Sequence, residues 1–255
     1  MNIKLITNDV KELIEEIFLS NKKKREIVRS ARYFSNIAYV ELQSIVKDKG
    51  IDLVLDVGAN SGQFYTYLRS EVKYTGRIFS FEPNPEMHTI LQRLKNNDSA
   101  LEVFPYALGA TEGSLSFNIY EDSKLSSFLH GNDKSSERFK DKFNAAKSIE
   151  VPVKTLDSFI ESQPIFSGAK SLFLKLDTQG FDLEVFKGVK KHKGLIKYIQ
   201  SELSVIPLYT NMPHYTKSIE FFEAEGYRII SLIPVTREKS NGQVIEFDAL
   251  WGQQN

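Results

Sequence analysis

The chain of 255 residues contains no cysteine, so disulfides, thiolate nucleophiles and thiolate-held metals are excluded within it. Histidine is nearly as scarce. His88, His130, His192 and His214 are the only four, and no two stand four residues apart as a helical zinc pair would. Neither sign of charge is in surplus, with 33 Lys+Arg against 33 Asp+Glu, so no global field steers the chain toward nucleic acid. No run approaches the ~18 apolar residues of a membrane span. The opening "MNIKLITNDVKELIEEIF" lacks the basic start, apolar centre and small-residue cleavage site of a signal peptide. The expectation is a soluble, cytoplasmic protein with no nucleic-acid partner and no membrane span.

What is present suits a globular fold. Apolar residues make up 41% and charged residues 26%, close to globular averages. A chain of this length buries roughly 70–75% of its unfolded surface. One stretch is locally basic: "KKKREIVRSAR", residues 22–32, with six cations and one Glu. It reads as a solvated helix face. The alternative is a peripheral contact with an anionic lipid surface or a phosphate-bearing substrate.

Apolar periodicity predicts helices at 9–19 and 24–48, the second stopped by Gly50. After it, strands read at 51–57, 77–82, 101–108, 171–177 and 196–203, with helical patterns at 62–70, 85–96, 179–191 and 214–225 between most of them. Such alternation predicts right-handed crossovers and a doubly wound, mostly parallel sheet. "GSLSFNIY" (113–120) reads as a strand added beside the third, and 148–160 as a strand running into a short helix at Thr155. The polar stretch 121–147 reads as loop and helix over one sheet edge, a place for a lid or substrate wall. At the end, "YRIISLIP" and "QVIEFDALWG" are joined without a helix and read as an antiparallel pair. The domain expectation is a helical extension over 1–49 and one α/β domain over 50–255.

The turn after the first strand, "DVGANSG" (56–62), stands where doubly wound sheets bind ligands. Its glycines are expected to let a ligand approach the backbone, and its free N–H groups to favour an anion. It has no Lys of a phosphate loop, and Asn60 stands where a dinucleotide fingerprint has its second glycine. Twenty residues beyond Gly62 comes Glu82, in "FEPNP", at the end of the second strand. A carboxylate there accepts hydrogen bonds from a ribose diol. Pro83 ends the strand, and Asn84 and Pro85 suit a helix cap and first turn, so the prolines have structural reasons and Glu82 does not.

These residues, with "YALG" (106–109), "VKTLDSF" (153–159), "LKLDTQGFDLEVFKG" (174–188) and the terminal "GYRIISL…GQVIEFDALW", resemble the FkbM family of S-adenosylmethionine-dependent methyltransferases. The likeness covers about residues 50–252 in order. It implies a class I methyltransferase (Rossmann-like) fold, a seven-stranded sheet with its last strand antiparallel. It also implies that Asp56, Gly58, Ala59, Asn60 and Gly62 surround the methionine part of S-adenosylmethionine and that Glu82 holds its ribose. Ala107 and Leu108 would flank the adenine, largely through backbone, and Asp177 would face the transferring methyl. The family often carries Glu where this chain has Gln179, so a role needing charge there does not transfer.

The reaction so implied is transfer of a methyl to a hydroxyl of a sugar, glycan or natural-product acceptor. An alcohol nucleophile needs a base. Asp177 and Glu202, at the ends of neighbouring strands, are the first candidates. They either form an acid/base pair or hold a divalent cation such as Mg²⁺ through oxygen ligands. His130 and His214, both in loops, are the alternatives. The structural readings are a helix N-cap for Asp177 and a lysine salt bridge for Glu202. Two other classes stay open: an NAD-dependent oxidoreductase, and a non-catalytic nucleoside-binding module.

Overall fold

The computed structural model describes residues 40–132, 147–238 and 241–254. The chain divides into two compact units, Met1–Ser44 and Ile45–Asn255. The helix expected at 9–19, most of that at 24–48 and the basic run 22–32 lie outside the described residues. Among the described residues no helix is long and apolar enough to cross a membrane.

The second unit opens with β1 (Leu53–Val57), α1 (Gln63–Tyr67), β2 (Arg77–Phe81), α2 (Pro85–Lys95), β3 (Leu101–Phe104), β4 (Ala107–Leu108) and β5 (Gly113–Ile119). It continues through β6 (Lys147–Lys154), α3 (Leu156–Ser162), β7 (Leu172–Leu176), α4 (Asp182–Phe186) and β8 (Ile196–Ser204), and closes with α5 (Tyr215–Ala224), β9 (Tyr227–Arg237) and β10 (Val244–Gln253). Seven strands form one sheet in the order β3-β2-β1-β7-β8-β10-β9. The pairs from β3 to β8 are parallel, and β10 runs antiparallel to both β8 and β9. This is the doubly wound sheet with a reversed last strand that the sequence predicts.

Alternation along the strands sorts the residues. Leu53, Leu55 and Val57 of β1 and Leu172, Leu174 and Leu176 of β7 join one core with Leu156, Phe159 and Ile160 of α3, Phe222 of α5 and Trp251. The intervening positions turn to the other face, and near the strand ends they are polar. In register, Asp56 stands beside Ser80 on one side and Lys175 on the other, and Lys175 stands beside Gln200. A polar row therefore crosses four strands just below their carboxyl ends.

Two caps follow the sequence reading. Asn84 accepts the Glu86 N–H at 3.0 Å with Pro85 in the first turn of α2, and Thr155 accepts the Ser158 N–H at 3.1 Å. Asp157, two residues on, takes the backbone N–H groups of Lys190, Lys191 and His192 at 2.8, 3.0 and 3.1 Å, fastening the turn before β8.

Three expectations are corrected. The single strand at 101–108 breaks at Pro105, which has no N–H for a ladder. Leu101–Phe104 stays in the large sheet, whereas Ala107–Leu108 pairs with β6. Residues 113–120 do not add beside the third strand; β5 pairs antiparallel with β6 in a separate sheet of order β4-β6-β5. The helix expected at 62–70 is present: α1 runs on without a break into the wider helical turns of Leu68–Val72. The helix at 179–191 shrinks to Asp182–Phe186, because Gln179 and Gly180 adopt positive φ of 52° and 95° before it.

Candidate active site

The turn after β1 is held by the end of β2, by Glu82 and by its own Asn60 and Ala59. The Gly58 and Ala59 N–H groups both donate to the Phe81 carbonyl at 3.1 Å, and the Gly62 N–H donates to the Ala59 carbonyl at 2.9 Å. The Asn60 N–H donates to Glu82 Oε2 at 2.7 Å and the Ser61 N–H to Asn60 Oδ1 at 2.8 Å. All five donors from Gly58 to Gly62 are engaged, so the expected anion-binding array of free N–H groups is not there. Both glycines have packing reasons. A Cβ on Gly58, at φ +76°, would sit 1.9 Å from the Asp177 carbonyl oxygen. One on Gly62, at φ +86°, would sit 2.6 Å from Leu94 Cδ1. What the turn offers instead is acceptors.

Glu82 is 5% exposed. Its Oε1 accepts the Asn84 N–H at 2.8 Å while Oε2 accepts that of Asn60. Each oxygen keeps a lone pair. Burial pushes its pKa up to about 7, against the lowering effect of those two N–H groups and of Lys175. Asp56 is fully buried; Ser80 Oγ donates to its Oδ2 at 3.4 Å, and Oδ1 faces the Lys175 ammonium at 3.2 Å. Lys175 was not singled out from sequence. Its signal was a lysine inside the apolar strand "SLFLKLD", where a buried cation needs partners. It has them: Asp56, Asp177 Oδ2 at 3.2 Å and the Gly58 carbonyl at 3.0 Å. Burial lowers its pKa, but Asp177 and Asp56 outweigh this and keep it charged.

The turn after β7 brings Asp177 and Glu202 together through Gln179. Gln179 Nε2 donates to Asp177 Oδ1 at 3.1 Å and to Glu202 Oε2 at 3.3 Å. Its Oε1 lies 3.1 Å from the Tyr209 hydroxyl, which also reaches the Leu125 carbonyl at 2.8 Å. Neither structural reading survives. Phe181, not Asp177, precedes α4, and Glu202 meets an amide, not a lysine. The buried Asp182 accepts both the N–H and the hydroxyl of Thr178, and also the Glu202 N–H at 3.3 Å. Glu202 stands directly across from Asp248 of β10, and Ser204 across from Glu246. Burial raises Glu202 well above the carboxylate range, reinforced by Glu246, Asp177, Asp248 and Asp182. Burial, with Asp177 adding, pushes Asp248 up to about 7. Among the described residues no three His, Asp or Glu side chains are grouped to hold a metal ion.

A roof segment closes over these groups. Ser127 Oγ donates to the Gln179 carbonyl at 2.9 Å, Asn60 Nδ2 to Ser123 Oγ at 3.3 Å, and the Thr210 N–H to the His130 carbonyl at 2.8 Å. Tyr120, Leu208, Tyr209 and Met212 form a small core there with Leu125 and Leu129 packed on it. The start of the 121–147 stretch and the loop after β8 are thus joined; residues 133–146 lie outside the description. Neither histidine imidazole is hydrogen-bonded or ion-paired to Asp177 or Glu202 among the described residues. His130 is exposed, and His214 Nδ1 lies 3.0 Å from Thr216 Oγ1 at the start of α5. Ala107 and Leu108 are buried in β4, with the Leu108 side chain in the main core.

A seven-stranded sheet of this order, its final strand reversed and slotted between two others, is the class I methyltransferase fold. The family is settled by sequence: the profile of the Methyltransferase FkbM domain matches residues 56–229. The chain belongs to that family, and its domain is that of an S-adenosylmethionine-dependent methyltransferase. It is similar to Methyltransferase sdnD of Sordaria araneosa, at 26% identity over 169 residues, which are 58% of this chain and 65% of that protein. Among solved structures it is similar to the methyltransferase FkbM of Methylobacillus flagellatus KT, with TM-score 0.46 and 16% identity over 82% of this chain and 47% of that one. It is likewise similar to the magnesium protoporphyrin IX methyltransferase of Synechocystis PCC 6803, solved with bound SAM, with TM-score 0.46 and 10% identity over the whole of both chains.

Proposed function

We propose that the chain is an S-adenosylmethionine-dependent O-methyltransferase acting on a hydroxyl of a sugar, glycan or natural-product acceptor. The observation that carries the cofactor assignment is the balance of the turn after β1: its five N–H donors are engaged, and its neighbours are the carboxylates of Asp56, Glu82 and Asp177. Such a site suits a ligand bearing a cation and a diol. A nicotinamide dinucleotide would bring a pyrophosphate to carboxylates and to no free donor, which disfavours the oxidoreductase reading.

S-adenosylmethionine supplies a methyl already activated on a sulfonium. In this reading Gly58, Ala59, Asn60 and Gly62 line its methionine part, with Asp56 and Lys175 bracing the turn from below. Glu82 takes the ribose hydroxyls on its remaining lone pairs, and the backbone of Ala107 and Leu108 flanks the adenine. Holding donor and acceptor in line contributes roughly 7–11 kcal/mol. Asp177, with a side chain 45% exposed and both oxygens tethered, takes the acceptor's proton as the new C–O bond forms and the C–S bond breaks. A base so placed contributes about 10²–10⁴-fold. Glu202 lies buried behind it and stands as the second carboxylate of the pair. The roof and the 205–212 loop would select the acceptor.

Calorimetry with S-adenosylmethionine and NAD, side by side, tests the cofactor. S-adenosylhomocysteine release with a panel of glycosides and phenols tests the reaction. Binding of S-adenosylmethionine alone, with release on a hydroxyl acceptor, is expected. NAD binding in its place would overturn the proposal, and binding without release across the panel would favour a nucleoside-binding module.

A further inference from the structure

We propose that Gln179 is a positioning residue: its amide, held from outside by Tyr209, fixes the Asp177 carboxylate facing the sulfonium by bridging it to Glu202. The inference rests on the reading of Asp177 given above and goes on to say what keeps that carboxylate in place.

The Asp177 side chain is half open to water, and a carboxylate so placed ordinarily samples several rotamers. Here its two oxygens are claimed by different elements, Oδ2 by Lys175 from below and Oδ1 by Gln179 from the side. Lys175 alone would leave the carboxylate free to pivot about one ion pair. The second tether removes that freedom. Gln179 is itself unusually constrained. Its backbone adopts φ +52°, a region few non-glycine residues enter, and its carbonyl accepts from Ser127 Oγ at 2.9 Å. Its Nε2 donates to two carboxyl oxygens, and its Oε1 lies 3.1 Å from the Tyr209 hydroxyl, whose single proton it shares with the Leu125 carbonyl. A neutral amide is well suited to this position. It presents two N–H groups to two carboxyl groups and adds no charge to a neighbourhood that already holds Asp177, Asp182, Glu202, Glu246 and Asp248 against Lys175.

The test uses the full chain and needs no acceptor. S-adenosylmethionine carries the sulfonium charge and S-adenosylhomocysteine does not, so the ratio of their dissociation constants reports how well a carboxylate is aimed at sulfur. Gln179→Met keeps the volume and removes both hydrogen-bonding arms. It is expected to lower the preference for S-adenosylmethionine by about 3–10-fold while leaving S-adenosylhomocysteine affinity unchanged, as loss of hydrogen bonds to a charged partner predicts. Asp177→Asn should abolish the same preference. Tyr209→Phe, which frees Gln179 Oε1, should reproduce part of the loss and serves if Gln179→Met does not fold. If Asp177→Asn lowers the ratio and neither Gln179→Met nor Tyr209→Phe does, Gln179 positions nothing and the Asp177 reading stands. Equal weakening of both ligands in Gln179→Met would mean a merely structural role and overturn the inference. If Asp177→Asn itself leaves the ratio intact, the carboxylate does not face the sulfonium and the inference is overturned, while the base reading is judged separately by turnover.

Discussion

The turns after β1 and after β7 do the same geometric job in opposite ways. Both must reverse the chain from a buried strand into a short helix, and both use a non-glycine residue at positive φ, Asn60 at 46° and Gln179 at 52°. The first is closed mainly by backbone: the carbonyls of Phe81 and Ala59 take three of its donors, and the Glu82 carboxylate and the Asn60 side chain take the other two. The second is closed by side chains, with Gln179, Asp182 and Tyr209 bridging strands and loops. A backbone-closed turn leaves little for substitution to vary, and a side-chain-closed turn can be retuned residue by residue. The first suits a ligand that does not change, the second an acceptor that does.

The comparison can be broken most severely at the chemistry. Asp177→Asn should leave the first turn intact, so S-adenosylmethionine still binds, while turnover on an accepted hydroxyl falls about 10²–10⁴-fold. The loss should appear in kcat more than in KM, as for an interaction made in the transition state. Next is Gly58→Ala, where the two turns touch. The added methyl meets the Asp177 carbonyl at 1.9 Å and takes on a positive φ. The expected destabilisation is about 3 kcal/mol, read as a lower urea midpoint at unchanged slope. A midpoint equal to the parent's would show that the turns are not packed as described. Glu82→Gln comes third. It should weaken S-adenosylmethionine about 10–100-fold, because two acceptor sites for a diol are altered and the Asn60 and Asn84 N–H groups lose a charge.

The smallest expected effect is a pH dependence confined to the first turn. Glu82 is raised by burial from 4.5 to about 7. The folded state therefore holds that proton where the unfolded chain has released it. Glu82's contribution to stability is fully present below about pH 4.5 and is lost as pH rises through 7. Cofactor binding should run the other way, strengthening by no more than about tenfold between pH 6 and 8 as the carboxylate ionises. Glu82→Gln should flatten that rise, and a parent protein with pH-independent affinity would count against the ribose assignment.

The sheet was legible in the sequence because its signals are local. Apolar runs at 53–57 and 172–176 mark buried strands, and the helix-free link before "QVIEFDALWG" marks a reversed one. Glu82 stood out in the sequence because Pro83, Asn84 and Pro85 have structural reasons of their own; the fold gives it one as well, as acceptor of the Asn60 and Asn84 N–H groups. The small second sheet was not, since Pro105 hands the chain to a new partner some fifty residues on. Nor was the engagement of the turn's donors, which depends on the Phe81 carbonyl arriving from a neighbouring strand. Lys175 and Gln179 sat inside a motif that had been read, yet their roles exist only across strands. The pairs Asp56–Lys175 and Gln179–Glu202 span 119 and 23 residues of chain (175 − 56 and 202 − 179).

The two ends of the large sheet bear on how the protein behaves at high concentration. One end is β3, only four residues long. The other is β9, which carries Pro234 in mid-strand, Arg228 and Arg237 near its ends, and three register irregularities against β10. A proline offers no N–H to a newcomer, and a bulged, twisted strand does not lie flat against another. Although Ile230, Leu232 and Val235 are exposed along β9, the backbone beneath them is a poor template. Among the described residues, both borders of the sheet are thus poor templates for strand-by-strand growth.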